Sequence, residues 1–409
     1  MTSITSLDVF IGNRLIGNIA LLPNDRSIFS FEESYVDDLT RPTLSLSFID
    51  MYGDILTDRR PIQTQLEPFF SNLLPEGYLR KYLSEKAGIA EVREFYLMWV
   101  LGRDLSGNVI VKPSEGEEWP PFEDKNMNDA EKAYRKEQAM RFSLAGVQLK
   151  FSALISESKG LTIPAQGHGG DWIVKLPSER WKGVPENEYS MMKFAERMGM
   201  NVPDIQLVSM NDIKGIPTDI GDLSGNTLAI KRFDRDKGKR IHIEDFAQVF
   251  GLYPDRKYER GNYKNIAEVL WAEIGEEAII EYVKRLVFNI LIGNGDMHMK
   301  NWSLIYPDGQ NADIAPAYDF LSTIPYTQDK DMALNLYRGG PRLFTDITQD
   351  SFIQFAAKAK LPETITLNAV KETTEKFHDL WGEAKQSLPI EERVSDAIDA
   401  HLKELPLAK

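Results

Sequence analysis

Residues 286–322, LVFNILIGNGDMHMKNWSLIYPDGQNADIAPAYDFLS, constrain the chain more than any other stretch. Leu286, Val287, Ile290 and Leu291 share one face of a helix, the spacing at which apolar side chains meet a core. Gly293-Asn294-Gly295 breaks that helix, and Asp296 follows on the exposed turn with His298, Lys300 and Asn301 close behind. Residues 302–306 read as a strand and Pro307-Asp308-Gly309 as a turn, and Pro316, Tyr318, Asp319 and Phe320 end the segment. The chain must bury the helix and still present its C-terminal loop.

The spacing of that loop suggests phosphoryl transfer. The reaction needs a carboxylate to take the proton of an attacking hydroxyl, and oxygen ligands for Mg²⁺ across the phosphates. Protein kinases supply these in D-x-x-x-x-N and D-F-G. Asp296 and Asn301 have the first spacing, and Asp319-Phe320-Leu321 supplies the second Asp with Leu in place of Gly. Alone, D-x-x-x-x-N fits equally a polar helix-to-strand loop whose carboxylates cap and solvate. The ordered set, with a strand lysine upstream, is the stronger signal.

Composition narrows the alternatives. A chain of 409 residues, 42% hydrophobic, predicts two or three domains with a substantial core. No apolar run reaches the length of a membrane span, and the N-terminus MTSITSLDVFIGN has no signal-peptide pattern. A cytoplasmic location without membrane contact is expected. With no cysteine there is neither disulfide nor thiolate metal site, and the 5 histidines show no zinc spacing. A net charge of −14 argues against an extended nucleic-acid surface.

In chain order, residues 1–112 read as an α+β subdomain. Segments 7–11 and 15–21 flank Gly12-Asn13-Arg14 as a hairpin does. Segments 29–35 and 44–49 alternate as strands, 67–73, 78–87 and 94–101 read as helices, and 107–111 as a strand. No catalytic chemistry shows here, and the unit reads as a packing or partner-binding domain. Residues 113–139, with Pro113, Pro120 and Pro121 among charges, read as a linker.

Residues 140–233 read as a strand-rich nucleotide-binding lobe. MRFSLAGVQLKFSAL, 140–154, is two β-type runs around Ala145-Gly146. It is either a loop that turns backbone N–H groups toward phosphates or a plain hairpin. The strand 172–175 ends in Lys175, a phosphate ligand or a surface lysine. Glu188, near the start of a helix over 185–199, is a partner for Lys175 or a solvated first-turn residue. Residues 228–233 form a further strand. Residues 234–409 read as a mainly helical catalytic lobe, with helices at 244–250, 265–274, 276–292, 351–359, 367–381 and 390–405. Strands followed by helices give an α+β, bilobal protein-kinase-like layout.

With these pieces in order, the chain resembles the HipA family, serine/threonine kinases that act as toxins of bacterial toxin–antitoxin modules. The resemblance spans nearly the whole chain, through RPTLSLSF, FFSNLLPEG, LGRDLSGNVIV, FSLAGVQLK, IVKLP, NEY, KRFDR, HIEDFAQVFG, NGDMHMKN and PAYDFLS. It implies ATP and Mg²⁺ as cofactors. It implies that Ala145, Gly146, Val147, Gln148, Leu149 and Lys150 cradle phosphates, that Lys175 binds them, and that main-chain groups of Lys231, Arg232 and Phe233 hold adenine. Asp296 would be the catalytic base, with His298 and Lys300 in its loop. Asn301 and Asp319 would hold Mg²⁺, and Tyr318 would line the nucleotide site. Ser143 matches the family's autophosphorylated serine. Leu149 stands where the family often has Glu, and Lys231 where an acidic residue can occur. For His298, two residues from the base, a structural tether is the preferred role.

The resemblance also implies a protein substrate such as an aminoacyl-tRNA synthetase and a HipB-like antitoxin as partner, with DNA reached only through that antitoxin. Two other readings remain open. One is a small-molecule phosphotransferase of the aminoglycoside-kinase type, which carries a similar loop. The other is a catalytically silent corepressor that only binds the antitoxin.

Overall fold

The computed structural model describes residues 6–115, 131, 150–155, 161–163, 169–178, 180–216, 223–328 and 330–409. The hairpin forms where its turn residues predict: β1 (Ser6–Ile11) pairs antiparallel with β2 (Arg14–Leu22). β3 (Arg26–Phe31), β4 (Ile62–Gln63) and β5 (Val109–Pro113) complete a sheet of order β4-β3-β2-β1-β5. Leu7, Val9 and Ile11 alternate inward, as one face of a half-buried strand must. They share a core with side chains of α2 (Pro68–Ser71), α3 (Gly77–Ala87) and α4 (Glu94–Leu101), and with Tyr35 of α1 (Glu33–Val36).

Two predicted strands come out differently. The strand over 29–35 stops at Phe31, and Tyr35 lies in α1 with its hydroxyl donating to Pro42 O at 2.6 Å. Segment 44–49 is a single 3-10 turn, Leu46–Phe48. Ser45 Oγ accepts the Ser47 N–H at 3.1 Å, a local bond by which serine draws the backbone out of extended structure.

The second sheet contains β6 (Lys150–Ile155), β7 (Leu161–Thr162), β8 (Trp172–Lys175), β9 (Ile205–Ser209), β10 (Ile213–Lys214) and β11 (Asn226–Lys231). Among the described residues its order is β10-β7-β6-β8-β11-β9. Its two faces are both covered. Val174 and Ala229 join the core of the N-terminal unit, while Leu228 and Ile230 join the core that contains Met191 and Phe194 of α5 (Val184–Arg197).

Beyond the hairpin of β12 (Arg235–Asp236) and β13 (Lys239–Arg240), helices dominate, but not at once. The helix predicted over 244–250 divides. β14 (His242–Asp245) is a strand, and Asp245 caps the short α6 (Phe246–Val249) through a capping box with Gln248. β14 pairs with β15 (Ser303–Tyr306), which pairs with β16 (Asp313–Ile314). Helices α7 (Tyr263–Glu273), α8 (Glu276–Leu291), α9 (Gln349–Ala359), α10 (Glu363–Ser387) and α11 (Glu392–Glu404) build the rest. Among the described residues no helix is long and apolar enough to cross a membrane.

Candidate active site

Helix α8 is buried along one side and ends at the loop that carries Asp296. Gly293 has φ +66°, and a Cβ there would meet Ile324 Cδ1 at 2.6 Å, so the turn requires glycine. Asn294 is buried and knits the loop together. Its side-chain amide donates to Asn289 Oδ1 at 2.8 Å and to Asp319 O at 3.1 Å, and its Oδ1 accepts the Asp296 N–H at 3.1 Å. One side chain thus ties the two acidic segments to each other.

The Asp296 main-chain oxygen accepts the His298 N–H at 2.7 Å and Asn301 Nδ2 at 2.8 Å. Its Oδ1 accepts the hydroxyl of Tyr258 at 2.6 Å. Burial raises the Asp296 pKa, the Tyr258 bond works against that, and the charge of Asp319 adds to it. Burial and then the nearby Lys257 push His298 down to about 3, so its imidazole is neutral.

Across from this loop, Lys175 at the end of β8 donates to Glu188 Oε1 of α5 at 2.5 Å and to Asp319 Oδ1. Burial works against its charge, yet Asp319 and then Glu188 hold its pKa above the ordinary lysine range. Asp319 has φ +57°, a backbone conformation uncommon outside glycine. Lys150 is the β-ladder partner of Lys175, so β6 begins beside the strand lysine. Ser143 and Ala145, Gly146, Val147, Gln148 and Leu149 lie outside the described residues.

The main-chain groups expected to hold adenine are partly committed. The Lys231 N–H donates to Asp204 O at 2.8 Å and the Arg232 N–H to Asp171 O at 2.7 Å. The Arg232 side chain is buried against Asp234 and Asp104. Phe233 stacks on Tyr318, with centroids 5.9 Å apart. The Tyr318 hydroxyl donates to Lys300 O at 2.9 Å and meets Ser303 Oγ at 2.5 Å. The ammonium of Lys300 turns toward the N-terminal unit. It lies 2.9 Å from both Asn72 O and Asn72 Oδ1, 3.3 Å from Glu76 and 3.4 Å from Asp245.

The donor set suits a nucleotide with a hard cation. Asn301 uses its amide nitrogen on Asp296 O, which leaves the side-chain oxygen as the atom for a cation. Asp319 supplies a carboxylate that leans on Lys175 in this structure. Among the described residues no three His, Cys, Asp or Glu side chains cluster as a metal site. Mg²⁺ takes one or two carboxylates and completes its shell with phosphates and water.

Sequence reasoning brought Lys175, Glu188, Asp296, Asn301 and Asp319 to one cleft. It passed over Asn72, Glu76, Asn294 and Tyr258. Asn72 and Glu76 sit in FFSNLLPEG, a stretch already conspicuous in the chain. Nothing in the local sequence marks Tyr258.

A strand lysine paired with a helix glutamate in one lobe, facing an Asp–Asn loop and a second Asp in the other, is the arrangement of a kinase. The two-lobed α+β fold is kinase-like, and it is similar in shape to a HipA. The structure of Shewanella oneidensis HipA, solved with HipB and its operator DNA, matches with a TM-score of 0.72 at 21% identity, covering 98% of this chain and 96% of that one. The chain belongs to the HipA family: the HipA-like C-terminal domain matches residues 142–381 and the HipA N-terminal domain residues 7–112. It is 50% identical over 404 residues to Y4dM of Sinorhizobium fredii, a protein named as a kinase, covering 98% of this chain and 97% of that one. It is 26% identical over 354 residues to the serine/threonine-protein kinase toxin HipA of S. oneidensis, 78% of this chain and 76% of that protein.

Proposed function

We propose that the chain transfers the γ-phosphoryl group of ATP to a serine hydroxyl on a protein, with Mg²⁺, as the toxin of a HipBA-type module. The observation that carries this is the convergence of Lys175, Glu188 and Asp319 on the loop of Asp296 and Asn301. Asp296 accepts the serine proton. Lys175, oriented by Glu188, holds phosphate oxygens. Asn301 and Asp319 would hold Mg²⁺, which would offset the charge that develops on the phosphates. Main-chain groups of Lys231, Arg232 and Phe233 receive the adenine beside Tyr318, and Ala145 to Lys150 cover the phosphates. Neutral His298 and the anchored Lys300 keep the loop in shape.

The substrate class, a protein of translation such as an aminoacyl-tRNA synthetase, follows from the family resemblance. So does a HipB-like antitoxin as partner, and the net charge of −14 favours contact with DNA through that partner. Autophosphorylation of Ser143 serves as an off-switch. A phosphate adds about −1.5 to −2 charges and repels the nucleotide from the adjoining loop.

Asp296→Asn and Asp319→Asn test the centre. Each lowers transfer by about 100-fold or more, and ATP binding survives the first change better than the second. Near-normal transfer by Asp296→Asn sinks the assignment. Phosphoproteomics of cells expressing the chain, set against the Asp296→Ala form, identifies the acceptor. Intact mass after incubation with Mg²⁺ and ATP reads Ser143.

A further inference from the structure

Tyr258 has no part in the mechanism above, yet it touches the base. It lies between α6 and α7, is 41% exposed, and donates its hydroxyl to Asp296 Oδ1 at 2.6 Å. A serine hydroxyl poised to attack a phosphoryl group makes the same hydrogen bond, because the base must receive the proton the nucleophile loses.

The placement is braced on several sides. The adjacent Lys257, 9% exposed, donates to Glu76 Oε2 at 2.9 Å. Glu76 also reaches Lys300 at 3.3 Å. One carboxylate of the N-terminal unit therefore fixes both the Tyr258 segment and the catalytic loop. The ring of Tyr258 stands edge-on to His298, with centroids 4.9 Å apart. Gly261, with φ +95°, packs so closely that a Cβ would lie 2.4 Å from Met299 Cε. Met299 begins the 3-10 turn that ends at Asn301.

We infer that Tyr258 is an acceptor-side positioning residue: its hydroxyl occupies the acceptor's place on Asp296 and yields it when a protein serine arrives. The inference rests on Asp296 being the base. Asp296 is exposed, but while Tyr258 donates to its Oδ1 no water takes that hydrogen bond. Without the hydroxyl, a water takes the vacated hydrogen bond. Its oxygen bonds to the γ-phosphorus, the bond to the β-phosphate oxygen breaks, Asp296 takes a proton, and ADP and inorganic phosphate leave.

Tyr258→Phe keeps the ring against His298 and removes the oxygen. Hydrolysis of Mg²⁺–ATP with no protein acceptor present then rises about tenfold or more, the change in occupancy expected from losing one hydrogen bond to a charged group. The KM for ATP stays as in the parent, because the side chain sits on the acceptor side. Lys257→Met keeps the tyrosine but cuts its anchor, and raises hydrolysis in the same direction. Adding Asp296→Asn to Tyr258→Phe abolishes the gain. Unchanged or slower hydrolysis in a Tyr258→Phe chain that melts with the parent overturns the inference and leaves the base intact. Hydrolysis undiminished by Asp296→Asn overturns the base and the inference together. If Tyr258→Phe melts early, Lys257→Met decides alone, by the same gain or its absence.

Discussion

Lys175 is a buried cation between two carboxylates, and that makes its substitution informative in two ways. Lys175→Met removes the charge meant for phosphate, so transfer falls by about 100-fold or more. It also takes the lysine from Glu188, a carboxylate only 2% exposed, which costs about 3 kcal/mol or more of stability. The two losses separate in a double variant. Lys175→Met with Glu188→Gln recovers stability in a urea titration and none of the activity. Activity that returns with stability means the lysine is only structural. The three members of this triad were singled out in the sequence, in IVKLP, NEY and YDF, with Glu188 left open as a partner of Lys175; the contact of Lys175 with Asp319 was not foreseen. Tyr258 and Asn294 were not legible, because their roles are bonds across space to residues that any polar side chain nearby could make. Lys300 was legible as a loop residue, but not the direction of its ammonium, which depends on where Asn72 and Glu76 fold.

Strand β14 places two opposed titrations against residues 44–46 of the N-terminal unit. Glu244 accepts from Ser45 Oγ and Tyr306 Oη, each at 2.5 Å, and from Leu46 N at 3.1 Å. Burial raises it to about 7 from an ordinary 4.5, against those hydrogen bonds. His242 Nε2 lies 2.7 Å from Leu44 O, and burial lowers it to about 4 from 6.5. The folded state holds the Glu244 proton more tightly than the unfolded chain does. Its contribution is therefore complete below about pH 4.5 and lost as pH rises through about 7. His242 runs the other way: its contribution is complete above about 6.5 and lost as pH falls toward 4. The parent's profile is flattened by the pair, and Glu244→Gln, neutral at every pH, exposes it. Relative to the parent, that variant gains stability from little at pH 4.5 to roughly 3 kcal/mol above pH 7, read by urea unfolding across the range. A difference that does not change with pH rules this out. Only the strand's last two residues, Glu244 and Asp245, were misread as helix, although its end was written in the sequence: Asp245 and Gln248 have capping-box spacing and start the helix at Phe246. The alternation of 44–49 misled in the opposite sense, because a serine that bonds its own neighbour can break a strand that hydrophobic period alone predicts.

Over the whole molecule, the N-terminal unit is bound into the kinase lobes. Its core is continuous with one face of the second sheet. Asn72 Nδ2 donates to Leu252 O at 2.7 Å, Gln248 Nε2 to Phe69 O at 3.0 Å and the Tyr253 hydroxyl to Leu66 O at 3.2 Å. Beside the end of β11, Asp104, 1% exposed, faces Arg232, Arg235 and Arg240 at 3.5, 3.2 and 3.5 Å. Asp234 pairs with Arg232 and Arg235 and accepts the Gly107 N–H at 2.7 Å. Burial, with Arg232 and Arg240 as like charges, drags Arg235 down to about 10 despite Asp234 and Asp104. Domains joined by small polar contacts move and melt separately; a shared apolar core with a buried ion network couples them. Calorimetry of the intact chain should show one transition that includes the N-terminal unit. Asp104→Asn leaves the buried Arg232 and the part-buried Arg235 and Arg240 facing one carboxylate fewer and lowers stability by about 3 kcal/mol. Because Arg232 follows the end of β11, ATP affinity falls with it. Hydrogen exchange then quickens at 102–107 and 232–242 together, since the network ties those segments to each other. Two separate transitions in the parent, or an Asp104→Asn chain that loosens only its own loop, shows the N-terminal unit to be an independent domain.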